Sequence, residues 1–295
     1  MGTCDRDSPL ATRPRVTFLI PAYNSQDYIV ESVASACSQD FPNYEVIVIN
    51  DGSTDATERI LDDLLKKYSF TLINQKNKGV CGAMNTGLQA ANGRYLCWGG
   101  HDDVFYPHRL AIQADFLDAH PEYGACYSNI EYIDSAGCHL GYGKRRHLKS
   151  GWILEALFRR NFIPAPASMV RTDLIRALGG FSDRYHVEDY PLWLTIAKHH
   201  QIGFADAVVT KYRLHDSNMS GDPRSFYVGT QKLLEDWSHY ASCRKALRYR
   251  YRRWFCDGSK GDDVELIERY LYKLSMTDFL RPRVLRSYGR YKLRQ

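Results

Sequence analysis

Two adjacent carboxylates, Asp102 and Asp103, follow the apolar run Tyr95-Leu96-Cys97-Trp98 and two glycines, Gly99 and Gly100. Glycine lets a backbone turn tightly, so a pair of acids is presented just past the end of an apolar segment. Paired carboxylates suit a hard divalent cation, which would in turn bridge phosphate oxygens. The competing reading is a helix cap, with Asp102 or Asp103 opening a helix over Tyr106–Leu117. Asp51 ends a second apolar run, Tyr44–Asn50. It could accept hydrogen bonds from a nucleobase edge, or simply form the turn before Gly52. Glu188 and Asp189 open a helix-like stretch, where acids are favoured by the helix dipole. Their chemical alternative is a general base that takes a proton from a hydroxyl. His215, in Tyr212-Arg213-Leu214-His215, is either a third metal ligand or a structural histidine.

These side chains need a scaffold that brings distant segments together. Val16–Ile20, stopped by Pro21, reads as a buried strand, as do Tyr44–Asn50, Phe70–Asn74 and Arg94–Trp98. Between them lie helical patterns. One carries Tyr28, Ile29, Val33, Ala36 and Cys37 after a cap at Asn24 or Ser25. The next carries Ile60, Leu61, Leu64 and Leu65 after Thr54 or Asp55, and a third covers Ala83–Ala90. Alternating strands and helices imply parallel crossovers with helices on both sheet faces. In such sheets ligands bind outside the carboxyl ends of the strands. Those ends are Pro21–Asn24, Asp51–Asp55, Lys76–Gly79 and Gly100–Asp103. The second half reads as strands at Ala125–Ser128, Ser168–Arg171 and Val208–Arg213, with a helix over Glu188–His200. Beyond Met219-Ser220-Gly221 the pattern is helical and basic.

The composition is that of a folded protein: 295 residues, 44% hydrophobic, 25% charged and 13% aromatic. No G-x-G-x-x-G follows the first strand and no G-x-x-x-x-G-K-[ST] occurs, which disfavours dinucleotide oxidoreductases and P-loop NTPases. Eight cysteines, with no C-x-x-C or zinc spacing, read as buried free thiols ahead of a disulfide framework. No apolar run approaches the roughly 20 residues of a spanning helix. The polar start, Met1–Arg15, lacks the apolar centre of a signal peptide. The expectation is a cytoplasmic protein. The formal net charge is +5, concentrated after Ala241, where Arg244–Phe255 mixes cations with rings. That stretch could lie on an anionic lipid surface with its rings among the headgroups. It could also hold nucleic acid, or be a solvated helix face.

Taken in order, several motifs resemble the family 2 glycosyltransferases of the GT-A fold. They are Val16–Asn24, Val46–Asp55, Asn77-Lys78-Gly79, Ala83–Gly87 and Asn92–Tyr95. Gly179-Gly180-Phe181, Glu188–Leu194, and Arg213-Leu214-His215 with Asn218 and Ser220 continue the series. The resemblance covers about residues 15–220. It implies a Rossmann-like, mostly parallel sheet flanked by helices. A nucleotide-binding half spans about 15–104 and an acceptor half about 105–220, with a helical basic extension over 221–295.

The resemblance also implies an activity: transfer of a sugar, with inversion, from a nucleotide-diphosphate donor to a hydroxyl of a glycan or lipid-linked acceptor. A UDP-sugar is the expected donor. Pro21, Tyr23, Asn24, Asp51, Lys78, Asn85 and Asp102 would hold the nucleotide. Asp103, Asp102 and His215 would hold Mn²⁺ or Mg²⁺ against the diphosphate. Asp189 would be the base, ahead of Glu188. One departure stands out: Gly100 occupies the first position of the family's common Asp-x-Asp-Asp pattern. The alternatives are a nucleotidyltransferase of similar fold and a non-catalytic carbohydrate- or membrane-binding relative. Nucleic acid is not an expected partner, and peripheral membrane contact through the basic region is.

Overall fold

Four short strands share one direction because each is a β-branched or aromatic run whose return path is a helix. They are β1 (Val16–Ala22), β2 (Tyr44–Asn50), β3 (Thr71–Asn74) and β4 (Tyr95–Trp98), separated by α1 (Ile29–Ala36), α2 (Thr57–Leu65) and α3 (Gly79–Ala90). The computed structural model describes residues 13–143, 148–185, 187–216, 218, 223–261 and 263–293. Their spatial order is β3-β2-β1-β4, all parallel. Alternation sorts β1 between faces: Val16, Phe18, Ile20 and Ala22 enter a core with α1 residues Ile29, Val33 and Ala36.

The sheet then changes character. β5 (Val104–Phe105) and α4 (Arg109–Ala119) are followed by β6 (Tyr123–Ile133), β7 (His139–Tyr142), β8 (Ser168–Arg171), α6 (Thr172–Ala177) and β9 (Gln201–Arg213). Here α5 denotes Leu154–Arg159 and α7 Asp189–His199. The order continues β4-β8-β6-β9-β5, with β7 on β6. Only β6 and β9 are parallel in this half; β8 runs against both β4 and β6, and β5 against β9. All-parallel pairing thus belongs to the first half, and a mixed curl completes the sheet. Both β6 and β9 extend well beyond the runs expected at Ala125–Ser128 and Val208–Arg213.

The chain divides into two compact units. One holds the sheet and takes the chain up to Ile153 with Phe162–Asp183 and Thr195–His215. The other is helical: Leu154–Asn161, Arg184–Leu194 and the chain from Asp216. It is therefore more than a tail after residue 220, since it recruits two segments from the middle of the sequence. It contains α8 (Pro223–Asp236), α9 (Ala241–Lys260), α10 (Val264–Leu271) and α11 (Pro282–Lys292). Helices α5, α8, α10 and α11 all pack on α9. Its buried stripe is Cys243, Ala246, Leu247, Arg250, Tyr251, Trp254 and Phe255, at helical spacing. This corrects one expectation: Tyr251, Trp254 and Phe255 face the inside of the unit, where Trp254 meets Tyr270 at 5.0 Å between ring centres. Those rings are not offered to a lipid surface, although Arg244, Lys245 and Arg253 are exposed.

The described cysteines, Cys37 through Cys256, are free thiols, and five of the seven are buried. Cys4 and Ser220 lie outside the described residues.

One buried carboxylate fastens the helical unit. Asp278, in the turn after α10, accepts from Arg252 at 2.8 Å, Arg248 at 3.3 Å and the Ser275 N–H at 2.9 Å. Burial alone would raise its pKa; Arg252 and Ser275 outweigh burial and hold it well below the usual carboxylate range. The stability it contributes is therefore present above the unfolded carboxylate pKa and lost as pH falls through the lower folded value. Asp278→Ala, which strands two arginines, is expected to cost about 3 kcal/mol at neutral pH. Thermal unfolding at pH 7 and pH 3 checks this, and the deficit must be smaller at the acid end.

Candidate active site

The carboxyl ends of β1, β2 and β4 are laced together by loop side chains. Asn24, in left-handed backbone at φ 47°, accepts from the Thr54 N–H at 2.8 Å through Oδ1, and its own N–H donates to Ser53 at 3.0 Å. Asn24 thus joins two strand ends and does not cap a helix. The cap expected at Asn24 or Ser25 gives way to Tyr28, reached through a turn from Ser25. The cap expected at Thr54 or Asp55 gives way to Ala56, while Asp55 accepts from the Thr57 N–H at 3.0 Å just ahead of α2. Tyr23 stands exposed beyond Pro21 and Ala22.

Asp51 is buried at the end of β2. Its Oδ1 accepts from the Gln75 amide at 2.6 Å and from the Lys78 N–H at 2.9 Å. The turn before Gly52 is made by Asn50 instead, whose Oδ1 accepts from the Ser53 N–H at 3.2 Å. Asp51 is therefore pinned by the loop leading into α3, and Oδ2 takes no hydrogen bond from the described residues. Lys78 is exposed at the start of α3. Asn85 departs from its expected role. Its amide is spent on the Phe181 backbone, donating to the carbonyl at 2.8 Å and accepting from the N–H at 2.8 Å. That fixes the Gly179–Phe181 turn.

The acid pair after β4 is not a helix cap, because α4 starts at Arg109 with His108 before it. Asp103 is 2% exposed. Its Oδ1 accepts from the Arg213 N–H at 3.2 Å and its Oδ2 from the Gly100 N–H at 3.2 Å. Burial first, and the charge of Asp102 second, push its pKa up to about 8. Asp102 turns the other way and meets His215 Nε2 at 3.0 Å through Oδ2. The His215 ring lies 4.9 Å from that of Tyr28.

Two participants were not singled out from the sequence. Arg213 is buried under the acid loop: Nε donates to the Asp102 carbonyl at 2.9 Å, Nη1 to the Ser135 carbonyl at 3.1 Å, and Nη2 pairs with Glu31 of α1. His101 is desolvated, which lowers its pKa, and it contacts the Pro21 backbone and the charge of Asp102. The signal available was the Arg-x-His spacing at the end of β9, quoted only as a likeness.

The donor chemistry suits a divalent cation at Asp102 and His215, a carboxylate and an imidazole nitrogen already within the spacing of two ligands on one ion. Asp103 is committed to backbone donors. Among the described residues no three His, Cys, Asp or Glu side chains form a metal-holding group.

Glu188 and Asp189 lie in the helical unit at the start of α7. Asn161 donates to Asp189 Oδ2 at 3.1 Å. Burial raises both pKa values, with Asp189 adding to the rise at Glu188, which reaches about 7.

Residues 17–152 match the model for Glycosyl transferase family 2. The Escherichia coli protein WfaP, a UDP-Glc:alpha-D-GlcNAc-diphosphoundecaprenol beta-1,3-glucosyltransferase, is 30% identical over 75% of this chain and 85% of its own length. The chain belongs to glycosyltransferase family 2. An uncharacterised glycosyltransferase of Rickettsia typhi, RT0329, is 31% identical over 69% of this chain. The chain covers 65% of that relative and 37% of another from Rickettsia felis. Staphylococcus aureus TarS 1-349, solved with UDP-GlcNAc, superposes with a TM-score of 0.67 over 94% of this chain and 88% of that one, at 19% identity. The mannosyltransferase PcManGT from Pyrobaculum calidifontis, solved with GDP-Man and Mn²⁺, gives 0.62 over 80% and 69% at 20% identity. These structures share the glycosyltransferase's GT-A-like fold: a curled mixed sheet flanked by helices.

In this member of family 2 Arg213 is a cation beneath the acid loop. Arg213→Met leaves Glu31 and several carbonyls unpaired, and the expected loss is about 3 kcal/mol, a fall in unfolding midpoint of roughly 6–12 °C. Differential scanning calorimetry reads it. A midpoint within a degree of the parent would mean that the guanidinium carries no structural weight.

Proposed function

We propose that the protein is an inverting, metal-dependent glycosyltransferase that moves a sugar from a UDP-sugar to a hydroxyl of a lipid-linked glycan. The observation that carries the reading is Asp51. It is a buried carboxylate held by Gln75 and Lys78 with one oxygen left over, beside the Pro21–Asn24 segment, and so suits the donor edge of a base. The relatives support the donor and acceptor classes. WfaP and WfgD of Escherichia coli are named for UDP-Glc and for an undecaprenol-linked acceptor, and TarS was solved with UDP-GlcNAc. The loop after β1 speaks against a nucleotidyltransferase, since Pro21-Ala22-Tyr23-Asn24 stands where a Gly/Arg-rich loop would be wanted.

In this reading the acceptor oxygen attacks the anomeric carbon. The bond from that carbon to the diphosphate oxygen breaks, with its electron pair leaving on UDP. The hydroxyl proton passes to the Asp189 carboxylate. Direct displacement accounts for inversion without a covalent intermediate. Asp102 and His215, with Asp103 behind them, would hold Mn²⁺ or Mg²⁺, which supplies Lewis-acid stabilisation of the departing diphosphate. Tyr23, Asn24 and Lys78 line the nucleotide.

Asp189→Asn is expected to lower turnover by roughly 10²–10⁴-fold while UDP binds as before. Undiminished turnover refutes the base assignment, and release of pyrophosphate in place of UDP refutes sugar transfer altogether. Because burial raises the pKa of both Glu188 and Asp189, kcat/KM should climb with pH along a limb displaced above the ordinary carboxylate range. Glu188→Gln, which removes a neighbouring charge, should shift that limb lower. Stability runs oppositely: acids with raised folded values favour the fold at low pH and lose that contribution as pH rises toward 7.

The membrane reading rests on different residues from those first expected. Tyr272, Met276 and Leu280 are each more than four-fifths exposed, beside Lys273, Arg281, Arg283 and Arg286. Apolar groups among cations favour an anionic lipid surface. Co-sedimentation with phosphatidylglycerol vesicles should drop for Met276→Ser with Leu280→Ser. Equal sedimentation of parent and variant removes this surface from consideration. Among the described residues no helix is long and apolar enough to cross a membrane.

A further inference from the structure

In the sheet unit, the middles of β6 and β9 and the segments following β5 and β7 border an open cavity of about 570 Å³. Tyr106, His108, Asn129, Tyr142, Gly143 and Val208 line it, and none of them belongs to the candidate active site. Its walls are flat. Tyr106 and His108 stack at 5.3 Å and 19°, and Tyr142, 59% exposed, lies 4.9 Å from the His139 ring. A buried carboxylate behind the wall fixes these rings: Glu131 accepts from the Tyr106 hydroxyl and pairs with His139 Nδ1 at 2.7 Å. Burial and then Glu131 hold the Tyr106 proton in place, pushing its pKa up to about 12.

The polar atoms left over are acceptors. His108 Nε2 faces the Val208 carbonyl oxygen at 2.9 Å, so Nε2 carries the proton and Nδ1 is an acceptor. Asn129 is 3% exposed, and its Nδ2 donates to the Gly143 carbonyl at 3.2 Å. Its Oδ1 accepts from none of the described residues, yet it is not one of their sealed unpaired atoms. It therefore opens into the cavity it lines. A ligand that completes this wall needs a flat apolar face and several O–H donors. A phosphate would bring negative charge toward Glu131 and these acceptors. Among the described residues the cation nearby is Lys211, which lies 5.4 Å over the Tyr106 ring and is drawn to Glu131. An apolar peptide would leave Asn129 Oδ1 unpaired, which costs free energy.

We propose that this cavity is a saccharide-binding site. A pyranose ring lays its C–H face on Tyr142 and donates hydroxyls to Asn129 Oδ1 and His108 Nδ1. The site binds sugar in the absence of nucleotide and does not depend on the transfer reading.

The test is calorimetric titration of the whole protein, without nucleotide, with maltotriose, diacetylchitobiose and mannobiose. At least one should bind with a millimolar Kd. Tyr142→Ala should weaken it roughly fivefold to tenfold, Tyr142→Phe should bind as the parent does, and UDP affinity should be the same in all three proteins. Binding of none of the sugars overturns the proposal, as does parent-like binding by Tyr142→Ala. Changed transfer with unchanged sugar affinity would bear on the active site alone.

Discussion

A guanidinium removed from water must satisfy its N–H donors or destabilise whatever encloses it. Arg213 meets that requirement with carbonyls of Asp102, Asp134 and Ser135 and the carboxylate of Glu31, while its face covers the Tyr28 ring at 4.8 Å. Three separate segments are tied to the end of β9 in this way: the acid loop, the turn after β6 and the start of α1. The same residue gives its backbone N–H to Asp103. One position thus supplies both a cation beneath the acid loop and a donor to its buried acid. Burial, and after it the charge of the neighbouring Asp102, raises the pKa of Asp103. Without Arg213 beneath it, the loop would have reason to open into water, and Asp102 would no longer be aimed at His215.

The parallel half of the sheet was legible because its strands are short, mostly apolar and punctuated by Pro21, Asp51-Gly52 and Gly99-Gly100. The second half was legible in part. Strands β6 and β9 each contain the run the pattern marked, but extend past it through residues such as Asn129, Glu131 and Gln201. Polar side chains on a strand carry no periodic signal when side-chain partners satisfy them, as Tyr106 and His139 do for Glu131. The helical unit hid its composition for another reason. Its core is assembled from Leu154–Asn161 and Arg184–Leu194 as well as the chain after Asp216, and no local window reveals such recruitment. Inside α9 the rings follow helical spacing. The inward face could have been read from Cys243, Leu247, Tyr251 and Trp254 had the neighbouring charges not dominated the reading.

At the site, the acids were found because carboxylates after apolar runs are conspicuous. What they bond was not. Asp51 ends a strand and Asn85 sits within α3; Asp51 Oδ2 takes no hydrogen bond from the described residues, whereas Asn85 spends its whole amide on Phe181, 96 residues away. Contacts at that separation are fixed by tertiary packing, and neither spacing nor residue type anticipates them. His101 went unnoticed for the same reason, since its burial and its contacts with Pro21 and His215 come from distant segments, with only Asp102 from its own.

Gly100 looks at first like a lost metal ligand. The geometry gives it another meaning. A Cβ at this position would fall on Asp102 Oδ1 and crowd Asp103 Oδ2 at 3.0 Å, while the Gly100 N–H itself donates to Asp103. Any side chain there would force Asp102 to turn, and Asp102 is the carboxylate that reaches His215. The glycine therefore exchanges one acid of the family's usual pattern for a tighter loop, in which Asp103 is anchored by backbone donors and Asp102 is left to pair with an imidazole. A cation held there would rest on fewer carboxylates and one nitrogen, a donor set shifted from the hard all-oxygen ligation that suits Mg²⁺ toward the mixed ligation accepted by Mn²⁺.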